Sequence, residues 1–189
     1  MNGKVSSLHI VLAAITLAGI AFVGRSCVSA HAARHGRISA TEIVRSAERL
    51  CRIAVPKTGV IYTNVEGRCL WRQSRVVGMI WCAQSTDARG DDLAYTVWDA
   101  ETGEPLLASI QARQADTGEP IARRSALREA GYWLRQLEPG RSAARWKLNG
   151  TAEALGDIWR VPCRSADRQA IITIDRSSGD LITAAIRRG

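Results

Sequence analysis

The outline of TVWDAETGEPL, residues 96–106, returns near the C-terminus as ITIDRSSGDLI, residues 172–182. In both, alternating apolar residues run into an Asp, then three residues, a Gly, an acid and more apolar residues. Such an outline alone describes any hairpin. It constrains the fold because two further features precede it twice, in the same order. One is an amphipathic segment, in which Ile43, Val44, Ala47, Leu50, Cys51 and Ala54 mark one helical face. Ala126, Leu127, Ala130, Trp133, Leu134 and Leu137 repeat that spacing 83 residues later. The other is a strand bearing Ile-Trp, MIWCAQS at 79–85 and DIWRVPCRS at 157–165, with Trp81 and Trp159 lying 78 residues apart.

This order predicts an α+β chain of two tandem units, each one helix packed on a small antiparallel sheet. Residues 38–112 form the first unit, 113–120 a linker and 121–189 the second. Ser39-Ala40-Thr41-Glu42 reads as a capping box, and Ile38 with Ile43 as a hydrophobic staple. Pro56 stops the first helix; Pro120 precedes the second and Pro139-Gly140 ends it. Pro162 places its strand at an edge or a bulge. Asp99 and Asp175 are expected to accept bonds from turn N–H groups, and Gly103 and Gly179 to take the positive φ that closes each hairpin. Too few carboxylates surround either Asp for a calcium loop, so no metal site is expected there. Residues 57–78 and 141–156 are the least readable.

Before the first unit, residues 8–24 are apolar except for His9 and Thr16, which fits a signal sequence or a membrane anchor spanning 1–32. The expectation is an extracytoplasmic protein, secreted or held to the membrane through residues 8–24. The 189 residues, 46% apolar with six Trp, suffice for a packed core. The net charge is +8, and only three of the 26 basic residues are Lys. That balance favours anionic partners without choosing one. Arg123, Arg124, Arg128 and Arg135 line the polar side of the second helix, the place for an anionic envelope polymer to bind. Nucleic acid is not expected as a partner.

The histidines, His9, His31 and His35, all precede the first unit, so neither unit has the imidazole of a Ser-His-Asp or Cys-His site. There is no HExxH, Walker loop or GxGxxG pattern, and no cofactor is expected. Carboxylate chemistry is the enzymatic alternative, but Asp91-Asp92 reads as solvated turn acids. Cys51, Cys69, Cys82 and Cys163 allow three disulfide pairings in an exported chain; buried free thiols are the other reading. Trp71, in LWRQSR, is the aromatic most suited to exposure beside Arg.

SALREAGYWLRQL, IWRVPC and ITIDRSSGDLI together resemble the PepSY family, and the first unit resembles it with longer loops. The resemblance covers residues 38–186. It implies a non-enzymatic, extracytoplasmic protein-binding module, with a peptidase restrained in trans as the partner class, since family members serve as propeptides of metalloproteases. No peptidase motif occurs in residues 1–189, so a propeptide role in cis is not expected.

Overall fold

The computed structural model describes residues 38–73, 75–111, 119–139, 146–148 and 151–188. The expected signal or anchor at 1–32 and most of the linker at 113–120 lie outside the described residues, as does the side chain of Trp71. No helix among the described residues is long and apolar enough to cross a membrane.

Helix α1 spans Ala40–Ala54. Its start is the expected capping box: the Glu42 amide donates to Ser39 Oγ at 3.3 Å, and the Ser39 amide donates to Glu42 Oε2 at 2.8 Å. Those donors at Ser39, the backbone N–H foremost, hold the Glu42 carboxyl below its ordinary range. The face read from the sequence is buried at Ile43, Ala47, Leu50, Cys51 and Ala54. Helix α2 spans Arg123–Leu137 and buries Ala126, Ala130, Trp133, Leu134 and Leu137. It has no side-chain cap and no acid in its first turn, where Arg123 and Arg124 stand against the helix dipole.

The strands are β1 (Tyr62–Arg72), β2 (Arg75–Thr86), β3 (Asp92–Asp99), β4 (Pro105–Ile110), β5 (Lys147–Leu148), β6 (Glu153–Leu155), β7 (Ile158–Arg164), β8 (Arg168–Asp175) and β9 (Leu181–Arg188). The α+β class stands, but the two small sheets are halves of one nine-stranded antiparallel sheet, ordered β1-β2-β3-β4-β9-β8-β7-β5 with β6 also on β7. The seam is β4 on β9: Leu107 pairs with Ala185, Ala108 with Ala184 and Ser109 with Thr183. Ala184 is the counterpart of Ala108 at the 76-residue offset of the two hairpins, so the seam keeps its pairing when the halves are exchanged. Joining there removes two unpaired strand edges that separate sheets would expose.

Both helices pack on one face of the sheet. One buried cluster takes Leu50, Cys51 and Ala54 from α1, Trp133 and Leu134 from α2, and Ala108, Val161, Ile172 and Ala184 from the strands. A second holds Ile43, Ala47, Trp81 and Trp98. Burying each large apolar side chain contributes about 1.5–3 kcal/mol, so this layer dominates stability. Pro162 pairs with Ile171 of β8 on one side. On the other, β5 pairs with Cys163 and Arg164 and β6 with Ile158–Arg160, so Pro162 falls in the gap and its missing N–H costs no ladder bond.

Candidate functional site

The recurring Asp and Gly build the same anchor twice. Asp99 Oδ1 accepts from the amides of Glu101 and Thr102 at 2.9 and 2.8 Å; Asp175 Oδ1 accepts from Ser177 and Ser178 at 2.8 and 3.1 Å. Gly103 and Gly179 close the turns at φ +69° and +80°. Above each turn sits the isoleucine that leads into a helix. Ile38 donates its N–H to the Ala100 carbonyl and accepts from Trp81 Nε1; Ile121 donates to the Arg176 carbonyl and accepts from Trp159 Nε1, both indole bonds being 3.1 Å. Trp81 and Trp159 are therefore core side chains whose polar edges hold the helix entries. Arg176 lies over the Trp159 ring at 5.5 Å, a cation–π contact absent from the first half, where Ala100 stands at that position. The Asp and Gly residues serve the turns, and no group of metal-ligating side chains occurs among the described residues.

A buried ionic cluster crosses from one half to the other. Arg168, 3% exposed, binds Glu104 of the β3–β4 turn and Glu138 beyond α2. Trp146 Nε1 adds a bond to Glu138 at 3.2 Å, and Arg188 lies 3.5 Å from Glu104. Arg49 of α1 donates to the Gln136 carbonyl of α2 at 2.7 Å. A cavity of about 240 Å³ opens here between Ser46, Arg49, Glu104 and Glu138. With each carboxylate engaged, the cluster clamps the halves together. Nothing in the sequence pattern marked Arg168, Glu104 or Glu138, because their meeting depends on the seam.

The disulfide candidates Cys51, Cys69, Cys82 and Cys163 are not joined to one another in this structure. Cys69 and Cys82 cannot pair: Cys82 stands opposite Glu66, while Cys69 lies three residues on, on the other face of β1. Burial pushes the Cys51 thiol up, and that of Cys163 to about 12, so both are protonated and inert at neutral pH. Asp91 and Asp92 are exposed in and after a turn, where Asp92 accepts from Gln84 Nε2 at 2.6 Å. Arg123, Arg124, Arg128 and Arg135 are all exposed on α2.

The face of the sheet opposite the helices is covered by no described element. Cross-strand pairing sorts it into rows. Pro162, Ile171, Ala185, Leu107, Val97 and Cys82 run in register across six strands, an apolar strip whose members other than Cys82 keep some exposure. Beside it run Arg160, Thr173, Thr183, Ser109, Tyr95 and Gln84, a hydrogen-bonding row. A bond with Cys82, together with burial, raises the Tyr95 hydroxyl above its ordinary range. On its other side, over the second half, lie Lys147, Arg164, Gln169 and Arg187. An antiparallel sheet that faced only water would carry polar residues throughout. A continuous apolar row instead runs through its middle. Alternation within single strands hinted at these residues, but the rows required the register.

No family model matches this sequence, and no curated protein matches it. Among solved structures, the fold is similar to the C-terminal domain of Bacillus megaterium YpeB. The match has a TM-score of 0.53 and 10% sequence identity, and it covers 75% of this chain and 61% of that one. At that identity the likeness is one of fold alone.

Proposed function

We propose that the chain is a non-enzymatic, extracytoplasmic PepSY-like module that binds another protein through its uncovered sheet face. The observation that carries this reading is the apolar row from Pro162 to Val97, which lies opposite both helices. The repeated anchors and the exchangeable seam support two tandem units behind that single surface. A peptidase restrained in trans is the partner class that the PepSY resemblance supplies, and the apolar segment at 8–24 supports export. A photo-crosslinker at Leu107, compared with one at Arg128 on the helix side, tests the surface in the native envelope fraction. The reading requires one protein captured from position 107 and not from 128, whose proteolytic activity falls when purified chain is added. Equal capture from both positions rejects it. N-terminal sequencing of the fractionated native protein tests export, and a full-length chain in the soluble cytoplasm rejects that part.

A second reading is an anionic-polymer site on α2, favoured by Arg123 and Arg124 in a first turn whose dipole disfavours cations. Replacing Arg124 and Arg128 by Glu should then abolish salt-sensitive retention on an anionic matrix. Unchanged retention rejects this placement.

A further inference from the structure

We infer that the second half of the uncovered face seats an extended partner segment carrying acid, apolar and acid side chains at every second residue. This rests on the reading that the uncovered face is the protein-binding surface, and it names the chemistry that surface selects. Lys147, Arg160, Arg164 and Arg187 are exposed around it, and Arg160 lies 3.6 Å from Glu153 of β6. Lys147 and Arg164 stand directly opposite one another, a like-charge pairing that weakens a sheet. Among the described residues neither has an ion-pair partner.

The first half serves as an internal control. At the offsets of the matching strands, the positions of Arg160, Arg164 and Arg187 are occupied by Cys82, Thr86 and Gln111. Cys82 holds the matching strand position without a charge, so the fold does not account for Arg160, while Thr86 follows a bulge in the β2–β3 pairing and Gln111 lies beyond the end of β4. A cleft of about 670 Å³ runs between the cations, floored by Pro162, Ile171 and Ala185.

The spacing selects the occupant. Arg160, Pro162 and Arg164 alternate on β7, so the two guanidinium stems are about 13 Å apart with an apolar residue between them. An extended peptide laid along β7 presents side chains to the sheet every second residue, about 6.6–7 Å apart. Acid, apolar and acid at positions i, i+2 and i+4 thus match arginine, proline and arginine. Arg187, two strands away at about 10 Å, and Lys147 on the other side reinforce the field. A polyphosphate-like polymer would satisfy the cations but leave the apolar floor uncovered, which favours peptide.

The test uses a phage library of random dodecapeptides selected on the immobilised full chain, followed by titration of the enriched peptides in labelled form. The expected result is enrichment of acid-x-apolar-x-acid peptides. Their affinity should fall at least tenfold in R160E/R164E and in I171S, and should hold in R124E/R128E. If R160E/R164E melts early, R160Q/R164Q replaces it, with the same loss expected. Peptides without acids that are lost in I171S but not in the arginine variant would overturn the acidic class while leaving the binding face intact. Peptides indifferent to every variant, or no enrichment, would overturn both. Inorganic polyphosphate that displaces the peptides and ignores I171S would make this a polyanion surface and overturn the peptide proposal.

Discussion

Placing alanine at Gly103 and at Gly179 should destabilise the chain unequally, and the difference measures the anchor. Both glycines sit at positive φ, +69° and +80°, where a Cβ costs about 1–2 kcal/mol. At Gly179 the added methyl meets Glu129 Cγ at 3.5 Å and Ile121 Cδ1 at 3.7 Å, ordinary contacts. At Gly103 it lands 2.9 Å from Ile38 Cγ1 and 3.2 Å from its Cδ1. Ile38 has little room to retreat, because its N–H is bonded to Ala100 and its carbonyl to Trp81. Overpacking of this kind adds about 1–3 kcal/mol. Gly179→Ala should therefore lose about 1–2 kcal/mol and Gly103→Ala about 2–5 kcal/mol. Equilibrium urea unfolding followed by Trp fluorescence reads both losses, since the buried indoles report on each half. Asn, which tolerates the left-handed region, should recover part of the backbone cost at Gly179 but little of the contact cost at Gly103. Equal losses at the two sites, or a loss below about 0.5 kcal/mol at either, would refute the argument from backbone handedness and contact.

Arg168→Met takes the shared cation from buried Glu138 and half-buried Glu104 and should cost about 3 kcal/mol in the same unfolding assay; adding E104Q and E138Q should recover most of it. If R168M unfolds like the wild type, the cluster is no clamp. Asp99→Ala and Asp175→Ala should each lose about 1 kcal/mol with no calcium dependence of melting; a calcium-dependent melt abolished by either change would contradict a turn role. Alkylation near neutral pH, mapped by mass, should label Cys69 in native protein while Cys51, Cys82 and Cys163 react only on unfolding. Because the folded state raises the Cys163 thiol from 9.0 to about 12, the unfolded chain releases that proton first. The stability this thiol contributes is present below about pH 9 and is lost as pH rises towards 12; Cys163→Ala should flatten that alkaline decline.

Local chemistry was legible in the residues. The capping box at Ser39, the α1 face and the two Asp-Gly turns need only neighbours a few positions away, and each formed as read. Pro162 was legible too, as a strand residue with one unpaired side. Residues 57–78 hid most of β1 because Asn64, Glu66, Gly67 and Arg68 break the alternation; β1 is an edge strand with one uncovered face, which relaxes that pattern. The joining of the halves left no local mark, since Ala108 and Ala184 pair by position and not by chemistry. The Arg168 cluster and the apolar row inherit that invisibility, both being products of long-range register. The arginines on α2 stood out because helical periodicity displays them, whereas those on β7 and β9 were scattered until the sheet gathered them.

Strand β9 comes last among the described strands in chain order yet occupies the centre of the sheet. During synthesis, 78 residues separate Ile110 at the end of β4 from Arg188 at the end of β9. At ribosomal speed that interval lasts roughly 4–16 s. Throughout it the β4 edge has no β9 to pair with. Two nascent chains meeting in that window could join edge to edge in the register that the finished molecule keeps for itself. Time, more than sequence, then decides between a closed monomer and an entangled pair, and slowing translation after residue 110 should raise the yield of dimer.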